Sequence, residues 1–159
     1  SDRIWEAMAA KGERWFTSGF TYSGHPVSCA AALKSMEIIE GEGLLENAAT
    51  VGDYFLDRLK GLEGLPLVGQ VRGRRLMVCV ENVASKATKE PLPDEARESK
   101  RISDAAESMG LMVRPIGHLN VMSPPLTITK GQVDFVVETL GRAIGKVTDE
   151  LVREGHRIG

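Results

Sequence analysis

Residues 110–129 read GLMVRPIGHLNVMSPPLTIT. Two short apolar runs, LMVR (111–114) and LNVM (119–122), flank the turn PIGH (115–118), so the segment reads as a hairpin-like pair of strands. Pro124 and Pro125 then fix the backbone and remove two donors, and the chain must pass rigidly beside something. Thr129 with Gln132 three positions on is a capping box. It predicts a helix over residues 130–154 with Val133, Val136, Val137, Leu140, Ile144 and Val147 inward.

Upstream of the hairpin, residues 94–109 predict a charged helix that turns Ile102, Ala105, Ala106 and Met109 inward and ends at Gly110. Residues 81–96 are polar and predict a mobile surface loop. LPLVGQVRGRRLMVCVEN (65–82) reads as extended chain, with its best strand at residues 75–81. Residues 44–60 carry Leu44, Ala48, Val51, Phe55 and Leu59 on one stripe, an amphipathic helix stopped by Gly61. GEG (41–43) separates it from an alanine-rich helix over residues 27–40 that opens at Pro26. The face formed by Ala32, Leu33, Met36, Ile38 and Ile39 is broad, so this helix is expected to be mostly buried. Residues 2–11 predict a short helix and 12–25 a loop. Helices, a strand, a helix, two strands and a helix make an α+β fold, a small antiparallel sheet with helices on one face.

The 159 residues are 42% hydrophobic, enough for one ordinary globular core. A net charge of −2 argues against a nucleic-acid or anionic-membrane surface, and no run approaches the roughly 18 apolar residues of a membrane span. Cys29 and Cys79 sit in apolar, patterned segments and read as two buried thiols of a reducing compartment, which implies a cytoplasmic protein. His25, His118 and His156 lie far apart and lack metal-ligand spacing.

Two places carry chemistry. Phe20-Thr21-Tyr22-Ser23-Gly24-His25-Pro26 packs glycine, hydroxyls and a helix start together. Backbone N–H groups, the hydroxyls of Thr21 and Ser23 and the helix dipole suit a phosphate. The same residues also suit a capped loop in which Ser23 or His25 satisfies the helix N–H groups. No G-x-S-x-G elbow surrounds Ser23, which argues against a hydrolase. Arg114 closes the run GLMVR, where a guanidinium can clamp a carboxylate or simply stand as a solvated charge. VRGRRL (71–76) reads as a glycine turn with solvated charges before a strand.

GFTYSGHPVSCAAAL (19–33), followed by GLMVRPIGHLNVMSPPLTIT, resembles the C-terminal part of class III aminotransferases, pyridoxal-phosphate enzymes of fold type I. Within them it is most similar to omega-amino acid and amine:pyruvate transaminases. The resemblance implies that Thr21 binds the cofactor phosphate of a second subunit across a homodimer and that Phe20 approaches the same cofactor. It implies that Arg114, ten positions before Pro124, holds the substrate carboxylate and swings away for apolar amines. It divides the chain into the end of a large cofactor-binding domain (1–26), a linking helix (27–43) and a C-terminal small domain (44–159). Small-molecule amines and keto acids are the implied substrates.

Several features depart from that family. Its Schiff-base lysine is expected upstream of Ser1, since none of Lys11, Lys34 or Lys60 has a strand-turn context, so this piece is expected to be inactive alone. The missing large domain is then its first partner. Ser18 stands where relatives usually carry histidine, and Arg75 where glycine is usual. A stand-alone α+β binding module, or a piece of an aminomutase or racemase of the same fold, are the alternative readings.

Overall fold

The computed structural model describes residues 1–9 and 19–159. They divide into two compact units, Ser1–Ile38 and Ile39–Gly159. The first unit holds helix α1 (Asp2–Ala9) and most of helix α2 (Pro26–Gly41). The second holds α3 (Leu44–Lys60), β1 (Val68–Arg74), β2 (Met77–Asn82), α4 (Glu98–Glu107), β3 (Arg114–Ile116), β4 (Leu119–Met122) and α5 (Lys130–Arg153).

The four strands lie in the order β1-β2-β4-β3, and each neighbouring pair is antiparallel. Register sets Val71 opposite Val80, Val78 opposite Met122 and Val80 opposite Asn120, and all of these are buried. The alternate residues Arg72, Cys79, Val121 and Arg114 form one row across all four strands. Because side chains alternate along a strand, that row lies on the other face. Helix α3 packs on β1 and β2, α4 on β3 and β4, and α5 lies against α3 and α4. Phe55, Leu59, Ile102, Val133, Leu140, Ile144 and Leu151 fill the core and are fully buried, which supplies the main driving force for folding. The expected α+β arrangement therefore forms, with helices on one side of a small antiparallel sheet.

Helices α3 and α5 begin where the sequence places them, and the Thr129–Gln132 capping box closes reciprocally. Val136 is only half-buried, whereas its neighbours Val133 and Val137 are fully inside. The proline segment passes beside α3, whose Asn47 Nδ2 donates to the carbonyls of Leu126 (2.7 Å) and Ile128 (3.1 Å).

Other expectations need correction. VRGR belongs to strand β1, so two strands precede α4 rather than one, and the turn is Arg75-Leu76. Arg75 occupies the left-handed region at φ 56, which explains why glycine suits this position. Its guanidinium offsets the strain by donating to the Ala49 carbonyl (2.9 Å) and to Asp53. The helix expected over 94–109 is split, because Arg97 at φ 48 interrupts it and α4 proper starts at Glu98. LMV (111–113) is not strand: Leu111 and Val113 turn into the core, and pairing begins at Arg114. The turn is then Gly117-His118, with Gly117 at φ 54. The connector after β2 is anchored by buried Val83 and Leu92. Gly61 ends α3 but opens a short 3₁₀ turn, Gly61–Gly64.

Helix α2 buries none of its residues, and Val27, Leu33, Met36 and Ile38 are exposed. The expected burial of this helix is therefore not seen among the described residues. Cys29 is likewise exposed and Cys79 half-buried, both free thiols, against the expected burial. Helix α1 is described only to Ala9, so the rest of the expected helix, the loop start, Lys11 and Ser18 lie outside the described residues. Among the described residues no helix is long and apolar enough to cross a membrane.

Gly52 of α3 meets the β1–β2 turn, and a Cβ there would lie 2.6 Å from the Cα and carbonyl carbon of Arg75. Backbone cannot retreat cheaply, so Gly52→Ala is expected to destabilise the chain by about 1–3 kcal/mol. Gly145→Ala, where a Cβ meets nothing within 4 Å, is the control and should be neutral or mildly stabilising. Chemical denaturation of both variants checks this.

Asp134 of α5 ties that helix to α3: the Tyr54 hydroxyl donates to Oδ1 at 2.7 Å and Arg58 Nε at 2.9 Å. The Tyr54 bond first, and the Arg58 contact after it, hold the Asp134 carboxyl below the usual carboxylate range. A depressed folded-state pKa gives stability that is present above the unfolded value, about 3.9, and lost as pH falls through the folded one. Asp134→Asn should therefore flatten the fall of the melting temperature as pH drops below the ordinary aspartate value of about 3.9. An unchanged slope would contradict the assignment.

Candidate functional site

The loop before α2 is built by local bonds. The Phe20 N–H donates to Ser23 Oγ (2.9 Å), the Ser23 N–H to the Phe20 carbonyl (2.9 Å) and the His25 N–H to the Tyr22 carbonyl (3.1 Å). Gly24 sits at φ 75 with open space where a Cβ would be. The Tyr22 and His25 rings meet edge to face at 6.0 Å. Ser23 therefore serves the loop and not the helix. The Cys29 N–H reaches the His25 carbonyl, whereas the N–H groups of Val27 and Ser28 have no acceptor among the described residues. Thr21 is exposed, and Phe20 keeps 83% of its surface. Exposed hydroxyl, bare glycine backbone and free helix N–H groups together make a surface that fits an anion.

Arg114 is the first residue of β3, exposed, on the sheet face away from the helices. Arg58, Arg72, Arg75 and Arg101 are all held in ion pairs; Arg114 joins none among the described residues. It lines a groove of about 670 Å³ with Met77, Met112, Val121 and Pro124. Met77 and Met112 are 70% and 84% exposed, so the groove is apolar and open. A guanidinium without a carboxylate partner beside apolar walls is suited to a small carboxylate with an apolar body.

Thr21 and Phe20 belong to the first unit and Arg114 to the second. The sequence reading did not find the groove, because Met77 and Met112 come from separate segments. Nor did it find the polar contacts that hold the Arg114 hairpin. Ser103 Oγ donates to the Val113 carbonyl (2.7 Å), Ser99 Oγ donates to the Gly117 carbonyl, and Glu98 Oε1 lies 2.8 Å from His118 Nδ1. A signal was there: Ser99 and Ser103 share the inward face of α4 with Ile102 and Ala106, where polar residues need partners.

The chain matches the family described as Aminotransferase class-III over residues 2–144. It is 41% identical to the diaminobutyrate–2-oxoglutarate transaminase of Halomonas elongata, across 97% of this chain and 34% of that protein. Among solved structures it is similar to a thermostable (S)-enantioselective omega-transaminase from Thermomicrobium roseum. That match has a TM-score of 0.84 and 45% identity and covers 92% of this chain and 33% of that one. A PMP-bound aminotransferase from Vibrio fluvialis matches with a TM-score of 0.84 and 39% identity, covering 94% of this chain and 33% of its own. The chain thus spans about a third of the length of these relatives. A match that runs through nearly the whole chain, on the fold just described, settles its kinship: it belongs to the class III aminotransferase family.

Proposed function

We propose that the chain is the C-terminal part of a pyridoxal-phosphate-dependent transaminase, one that moves an amino group from an amine or omega-amino acid to a keto acid such as pyruvate. The observation that carries the reading is Arg114, an exposed guanidinium in an apolar groove. A carboxylate can accept two parallel N–H···O bonds from it, while the substrate's carbon body lies against apolar walls. When an amine without a carboxylate arrives, the long stem lets the guanidinium turn out to water.

The loop fits the cofactor's phosphate, since it offers an exposed hydroxyl at Thr21, an open backbone at Gly24 and the positive end of α2. Thr21 would donate its hydroxyl to a phosphate oxygen, and Phe20 would lie against the cofactor, both serving the other subunit of a homodimer. Pyridoxal phosphate, when bound, supplies the electron sink through which the amino group is carried. Lys34 is exposed on α2 and paired with Glu37 at 3.0 Å, and Lys60 ends α3, so neither has the strand-end setting of a Schiff-base lysine. That lysine we assign to polypeptide outside this chain. In this reading residues 1–26 close the large domain, 27–43 link, and 44–159 form the small domain. Two free thiols fit the reducing cytoplasm.

The test is Arg114→Ala in the full-length protein. Loss of charged hydrogen bonds to a carboxylate should lower kcat/KM for amino and keto acids by about 10–100-fold. The half-reaction of a simple amine donor should be spared. Equal loss with both substrate types would overturn the role of Arg114.

A further inference from the structure

Strand β3 is a weak platform for a substrate-binding arginine. It has three residues, pairs only with β4, and its middle residue, Pro115, has no N–H to give the ladder. Something else must hold the backbone at Arg114.

Helix α4 does so from both sides. Ser103 Oγ donates to the carbonyl of Val113, the residue before Arg114. One helical turn earlier, Ser99 Oγ donates to the carbonyl of Gly117, three residues after it. Both serines are buried, at 9% and 4% exposure. The turn itself is pinned further. His118 Nδ1 lies 2.8 Å from Oε1 of Glu98, a carboxylate only 1% exposed. The His118 carbonyl accepts from the Asn82 N–H (2.9 Å) and from Asn82 Nδ2 (3.0 Å).

We propose that Ser99 and Ser103 are positioning residues for Arg114. By gripping the carbonyls on either side of it they fix where its guanidinium starts, and so the tightness with which the site holds a substrate carboxylate. Errors of about 1 Å in placing such a group are costly in rate. The inference rests on the reading of Arg114 as the carboxylate-binding residue.

The experiment uses the full-length protein carrying Ser99→Ala together with Ser103→Ala, and Ser103→Ala alone as the milder variant should the double one fail to fold. KM for pyruvate and for alanine, the amine half-reaction rate and the melting temperature are measured. The expected result is a KM for pyruvate and alanine raised roughly tenfold, with the rate for a simple amine within about twofold of wild type. A lowered melting temperature with no such split, or equal losses for both substrate types, would overturn the positioning role. Arg114→Ala run beside them separates the two failures. If it shows the split and the serine variants do not, only the positioning role falls; if it shows none, the reading of Arg114 falls and takes the positioning role with it.

Discussion

Strand alternation in the β1-β2-β4-β3 register is the constraint on which the rest depends. It sends Val71, Val78, Val80, Asn120 and Met122 toward the helices and Arg72, Cys79, Val121 and Arg114 away from them. A slip of one residue in the β3–β4 pairing would drive Arg114 into the core and expel Val113. An unpaired buried guanidinium is too costly for that alternative to compete. The hydrophobic core therefore chooses the face on which the arginine appears. Packing and site geometry follow from the same register.

Much of this was readable in the sequence, for physical reasons that differ by element. Helices α3 and α5 carry long apolar stripes, and α5 has a capping box, so both period and start are encoded locally. The β1–β2 hairpin was half missed because its turn uses Arg75, not glycine, in the left-handed region, and nearby Gly73 drew the turn toward itself. Arg97 hid the true start of α4 in the same way. Helix α2 shows a limit of periodicity: an apolar face announces a need for burial, not the identity of the cover. Thr21 and Arg114 stood out because each sits in a local pattern with a chemical use. The Ser99–Ser103 grip did not, because it exists only once α4 and β3 have met in space.

The two candidate sites share one property, functional groups left free by the fold that holds them. Ser23 and backbone bonds satisfy the loop internally and leave the Thr21 hydroxyl outward. Arg114 stands exposed at the start of β3 and joins no ion pair among the described residues. Free polar groups on a braced backbone are preorganised for a ligand, which then does not have to order them. An exposed apolar face on α2 and an open sheet face fit a chain that spans about a third of its relatives' length.

The reaction proposed for the full-length protein is amino-group transfer in two separate half-reactions. The direct measurement is a single turnover: the full-length protein, loaded with pyridoxal phosphate, is mixed with alanine and no acceptor, and released pyruvate is counted. The account predicts about one pyruvate per active site and no more until a keto acid is added, as a ping-pong scheme requires. A protein that binds the cofactor and releases no keto acid from alanine or from any amino donor tried would contradict it.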